Sequence, residues 1–87
     1  MIKSWSDEAW EDLEYWTKQD RKTFKKILQL IKDIDRNGYR GIGKPKPLGE
    51  NLSGYWSVKI DDKNRIVFRI RDEILEIVQC GSHYRDK

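Results

Sequence analysis

The stretch from Gly38 to Gly54 divides this chain into two parts with different periodicities, and that division limits the fold more than any other feature. It holds five of the six glycines and both prolines. Pro45 and Pro47 lack amide donors, so Gly41 to Leu48 is neither an internal helix nor a central strand. An extended loop with a short edge strand is expected. A phosphate-binding loop is rejected, because the GxxxxGK[ST] spacing is absent and no buried strand precedes it.

Before this stretch the apolar residues recur at helical spacing. Ile2 to Trp5 is short and β-tolerant. Ser6 reads as an N-cap followed by Asp7 and Glu8, with Trp5 and Trp10 at the two positions of a hydrophobic staple. Ala9, Trp10, Leu13 and Trp16 form the inward stripe of the first helix, the tryptophans Trp5, Trp10 and Trp16 reading as core, and Glu11, Asp12 and Glu14 face out. Asp20 caps a second helix whose stripe is Phe24, Ile27, Leu28, Ile31 and Ile34, with Lys22, Lys25, Lys26 and Lys32 around it. Asn37-Gly38 ends that helix.

After Gly54 the period is two. Trp56, Val58 and Ile60 alternate with Tyr55, Ser57 and Lys59, and Ile66, Phe68 and Ile70 alternate with Arg65, Val67 and Arg69. Ile74 to Cys80 is apolar at both parities, as a central strand is. The fold class is therefore α+β: an early strand, a two-helix hairpin, then an antiparallel sheet covered on one face by the helices. The other face is expected to be exposed and basic through Lys59, Arg65 and Arg69, with the Lys44 to Lys46 loop entering beside them.

With 87 residues the chain is expected to form a single domain, residues 1–87. Its net charge of +3 is unevenly spread. Residues 1–20 hold two basic and six acidic groups, which leaves sixteen basic and nine acidic groups beyond them. A polyanionic partner such as nucleic acid is therefore sought in the later part. One cysteine, Cys80, makes no internal disulfide, and one histidine gives no Cys/His zinc site, so neither a metal nor another cofactor is implied. Without a signal-like or membrane-spanning apolar run, a cytoplasmic location with no membrane contact is expected.

Among single residues, His83 is the one side chain of a type whose unperturbed pKa lies near neutrality and suits proton transfer to a leaving alkoxide, although a histidine in a frayed tail is the blander reading. Arg65 offers a planar fork to phosphate, or equally a partner to Asp61 or Asp62. Tyr84 suits stacking on a base or pinning the last strand. Lys44, Lys46 and Lys59 are each ordinary solvated lysines when taken alone. Glu50 is a loop carboxylate that becomes a base only if the fold turns it inward.

The segments WSDEAWEDLEYW, KKILQLIKDIDRNGYRGIGKPKPL and NLSGYWSVKIDDKNRIVFRI, with the closing HY, resemble the Txe/YoeB family of the RelE superfamily of bacterial toxin–antitoxin systems. The resemblance spans Met1 to Tyr84. It implies a microbial RNase-like fold and a metal-independent, ribosome-dependent mRNA endonuclease silenced by a YefM/Axe-type antitoxin. A homodimer is compatible with it. Carried over by position, Arg65 stabilises the phosphorane, His83 is the general acid and Tyr84 helps hold substrate, while Lys44, Lys59, Arg69 and Glu50 fall where substrate contacts are expected. The family's loop usually reads GKPEPL with its Glu as general base, and here that position is Lys46. Gly49 and Val58 also replace usual basic residues. Lys46 acting with a depressed pKa, Glu50 substituting for it, or an attenuated chain that mainly binds ribosome or antitoxin are the three readings left open.

Overall fold

The computed structural model describes residues 1–82. Strand β1 (Ile2–Trp5) leads into helix α1 (Asp7–Gln19) and helix α2 (Arg21–Asn37). A long connection follows, with a 3-10 turn at Gly38–Arg40, the two-residue strand β2 (Lys46–Pro47) and a second 3-10 turn at Glu50–Leu52. Strands β3 (Trp56–Lys59), β4 (Arg65–Arg71) and β5 (Ile74–Gly81) complete the fold.

The helix boundaries fall where the capping chemistry puts them. Ser6 Oγ accepts the Ala9 N–H at 3.0 Å, and Trp5 meets Trp10 edge-on at 6.0 Å, closing the staple. Asp20 ends α1, its N–H donating to Trp16 O, and its carboxylate starts α2 by accepting from the Thr23 N–H at 3.1 Å. Gly38 then stops α2 at φ 62°, a left-handed conformation that glycine adopts without a Cβ clash.

The sheet order is β1-β5-β4-β3-β2. The expected antiparallel sheet is a mixed one, because β1 lies parallel to β5 with Ile2 opposite Ile74. The register of β4 against β5 shifts between Val67 and Phe68: Val67 faces Gln79 while Phe68 faces Ile77. Such a bulge re-aims the residues around it. On one face Val58, Ile60, Ile66, Phe68, Leu75 and Ile77 pack under Ile27, Ile31 and Ile34 of α2. Tyr39 extends this core, stacking on Trp56 at 4.3 Å and donating and accepting at Ile70 through its hydroxyl.

Three expectations about side-chain direction are corrected. Trp10 is 50% exposed, since the staple needs only one edge of its ring, so of the three tryptophans only Trp5 and Trp16 are partly buried against the core. Leu28 lies at the margin of its stripe and is 36% exposed, with Leu30 packing in its place. Asp12 points inward and is buried, because the end of β5 presents a backbone N–H to it.

Candidate active-site cleft

The sheet face turned away from α2 is closed on one side by α1 and on the other by the loop Leu48 to Leu52, leaving a cleft of about 740 Å³. Its floor is Ser57, Val67 and Gln79, which stand side by side across β3, β4 and β5. Arg65 and Gly81 occupy the neighbouring rung of the ladder, paired in register, and also line the cleft. Lys63 joins Arg65, while α1 contributes Glu8 and Asp12 and the loop contributes Glu50.

The cleft wall at β5 is fixed from α1 by a small hydrogen-bond network. Asp12 Oδ2 accepts the Cys80 N–H at 3.0 Å, Trp16 Nε1 donates to Cys80 O at 2.8 Å, and the Cys80 thiol donates to Ala9 O at 3.4 Å. Ser6 Oγ donates to Val78 O at 3.0 Å. Burial pushes the Cys80 thiol up to about 12, with the nearby Asp12 charge adding to the shift, so this sulfur is an inert packing group.

The expected site residues separate into groups. Arg65 and Glu50 share the cleft, and among the described residues neither side chain makes a hydrogen bond or ion pair. The Asp61 partner considered for Arg65 is engaged elsewhere: its carboxylate accepts from Lys63 N, Asn64 N and the Asn64 amide, which holds its pKa below the ordinary carboxylate range. Asp62 lies 3.9 Å from Lys59 instead. Lys59 stands opposite Arg65 and is exposed. Lys46 stands on the edge strand opposite Ser57, also exposed, and is not among the cleft-lining residues; Lys44 is in the loop before it.

Arg69 shares the outer face but is not a free cation there. Its guanidinium is ion-paired with Glu76, directly opposite in the register, and lies 4.6 Å over the Tyr55 ring. The hydrogen bond with Glu76 raises the pKa of Arg69 and lowers that of Glu76. The face read as uniformly basic is thus mixed in sign, and the cleft lining itself carries two cations and three carboxylates. His83 and Tyr84 lie outside the described residues.

Asp12, Gln79 and Lys63 were not singled out by the sequence as cleft residues. Asp12 carries a signal in its spacing, three residues after Ala9 and four before Trp16, on the same helical face. Gln79 is the one uncharged polar side chain of Ile74 to Cys80.

A family model described as "YoeB-like toxin of bacterial type II toxin-antitoxin system" matches residues 5–84. The chain belongs to this family. It is 46% identical over 80 residues to Toxin YoeB of Escherichia coli K12, covering 92% of this chain and 95% of that relative. Two solved structures from Staphylococcus aureus overlay closely. The toxin chain of a YoeB–YefM complex has a TM-score of 0.90 at 41% identity, covering 97% of this chain and 98% of that one. A YoeB dimer has a TM-score of 0.87 at 42% identity, with the same coverage. This chain is accordingly a YoeB-type toxin of a toxin–antitoxin system, with the YoeB fold expected from the sequence.

Proposed function

We propose that this toxin is an endoribonuclease that cuts ribosome-bound mRNA without a metal. In this reading the 2′-hydroxyl of one nucleotide attacks the adjacent phosphate, giving a 2′,3′-cyclic phosphate and a 5′-hydroxyl. Arg65 stabilises the charge that develops on the phosphorane, His83 protonates the leaving 5′-oxygen and Tyr84 helps hold the substrate. Lys46 stands opposite Ser57 and Lys59 opposite Arg65, each beside a lining residue, and with Lys44 in the loop before β2 they suit contacts to the RNA backbone. The observation that carries the reading is the position of Arg65: a guanidinium in a cleft with no hydrogen bond or ion pair among the described residues, on a strand hydrogen-bonded on both sides. A preorganised cation of that kind is what a phosphoryl transition state requires.

The partner is proposed to be a YefM/Axe-type antitoxin, since the staphylococcal relative is described in complex with YefM. An acidic segment that orders on binding would meet Arg65, which makes no ion pair among the described residues, and Lys59, held only by an exposed contact to Asp62, whereas Arg69 is already neutralised by Glu76. Dimerisation is carried over in the same way from the staphylococcal dimer. Action in the cytoplasm follows from the ribosomal substrate. No helix among the described residues is long and apolar enough to cross a membrane.

One observation favours a second reading, an attenuated toxin that acts mainly by binding ribosome or antitoxin. Lys46 occupies the position of the family's usual Glu, and an ammonium does not accept a proton. Mapping mRNA 5′ ends in a cell-free translation reaction separates the two. The endonuclease reading expects the parent chain to cut within codons, and His83→Ala to lower the rate by about 10²-fold or more. A parent chain that is inert while Lys46→Glu cuts would establish the binding reading instead.

A further inference from the structure

We propose that Glu50 is the general base of the cleft, the group that takes the proton from the attacking 2′-hydroxyl. The inference rests on the endoribonuclease reading and assigns the one role which that reading leaves vacant.

Three carboxylates line the cleft: Glu8, Asp12 and Glu50. Asp12 is 1% exposed and accepts the Cys80 N–H, so it is engaged with the protein and closed off from solvent. Glu8 is engaged as well. Glu50 is exposed to the cleft, and among the described residues its carboxylate makes no hydrogen bond or ion pair. A base needs an acceptor lone pair that substrate can reach, and Glu50 is the lining carboxylate that offers one.

Arg65 lines the same cleft and, among the described residues, forms no ion pair with Glu50, so one cleft holds both an acceptor and a cation.

The step balances. The 2′-O–H bond breaks and its proton passes to the Glu50 carboxylate as the 2′-oxygen bonds to phosphorus. The bond from phosphorus to the 5′-oxygen then breaks, its electron pair stays on that oxygen, and His83 supplies the proton.

The test is single-turnover cleavage of ribosome-bound mRNA by the full chain, with the parent, Glu50→Gln and Glu50→Asp side by side. Glu50→Gln is expected to cut about 10²-fold more slowly or worse, with thermal melting unchanged. Glu50→Asp, which keeps the carboxylate, is expected to cut faster than Glu50→Gln. A parent chain that cuts while Glu50→Gln stays within about threefold of it overturns the assignment and leaves the endoribonuclease reading standing. So does a Glu50→Asp that cuts no faster than Glu50→Gln. A parent chain that does not cut removes the endoribonuclease reading itself, and the assignment with it.

Discussion

A carboxylate that is 1% exposed needs partners, and Asp12 has one in the Cys80 N–H at 3.0 Å. Removing the acceptor leaves that buried donor unmatched, at a cost of roughly 1–3 kcal/mol. Asp12→Ala is therefore expected to lower the melting temperature by about 4–8 °C for each kcal/mol lost, and Asp12→Asn, which keeps a carbonyl oxygen, by less. Equal melting of parent and Asp12→Ala would show that the contact contributes nothing. Single residues were unevenly legible in the sequence for the same physical reason. Ser6, Asp20 and Gly38 act on backbone within a few positions of themselves, so local chemistry identified them. Asp12 acts on a residue 68 positions away, and a charged side chain beside Glu11 and Glu14 reads as solvent-facing until that distant partner is known.

Among the elements, α1 does two jobs, packing on the core and holding the last strand, and Ser6 joins them. Its hydroxyl oxygen accepts the Ala9 N–H that starts the helix, and its O–H donates to Val78 O on β5. Ser6→Ala removes both, and is expected to cost about 1–2 kcal/mol. Urea denaturation should show this as a lower midpoint with an unchanged slope, because the surface exposed on unfolding is the same. A changed slope would mean that β5 or α1 had loosened in the native state. The hairpins were readable because their turns are local. The parallel pairing of β1 with β5 was not, since a strand of four residues carries no mark of its partner's direction. The Glu50–Leu52 turn was likewise illegible: it has no period, and only the closure of the loop over Ser57 and Val67 brings Glu50 to Arg65's cleft.

For the whole molecule, the charge arithmetic missed the local sign of the cleft. The acidic start of the chain folds over the sheet and places Glu8 and Asp12 in the cleft that the basic strands line. Under the proposed endoribonuclease function, long-range attraction of RNA would come from exposed cations such as those of α2, and the two signs in the cleft would serve proton transfer beside a stabilising cation. The same distribution fixes how stability depends on pH. Four carboxyls titrate below the ordinary range in the folded chain: Asp20 through the Thr23 N–H and hydroxyl, Asp35 through the N-terminal ammonium and Lys3, Asp61 through Asn64 and the Lys63 N–H, and Glu76 through Arg69. A carboxyl with a depressed folded pKa binds its proton more readily in the unfolded chain. Its stabilisation is present above the unfolded pKa and is lost as pH falls through the folded one. These groups cap the start of α2, tie the N-terminus to α2, close the β3–β4 turn and join β4 to β5, so their protonation releases contacts throughout the fold. Melting temperature is expected to fall steadily below about pH 4, with these four carboxyls as a cause. Replacing Asp35 and Asp61 with Asn should flatten that fall, and an acid limb of the same depth in the double variant would mean that other groups govern it.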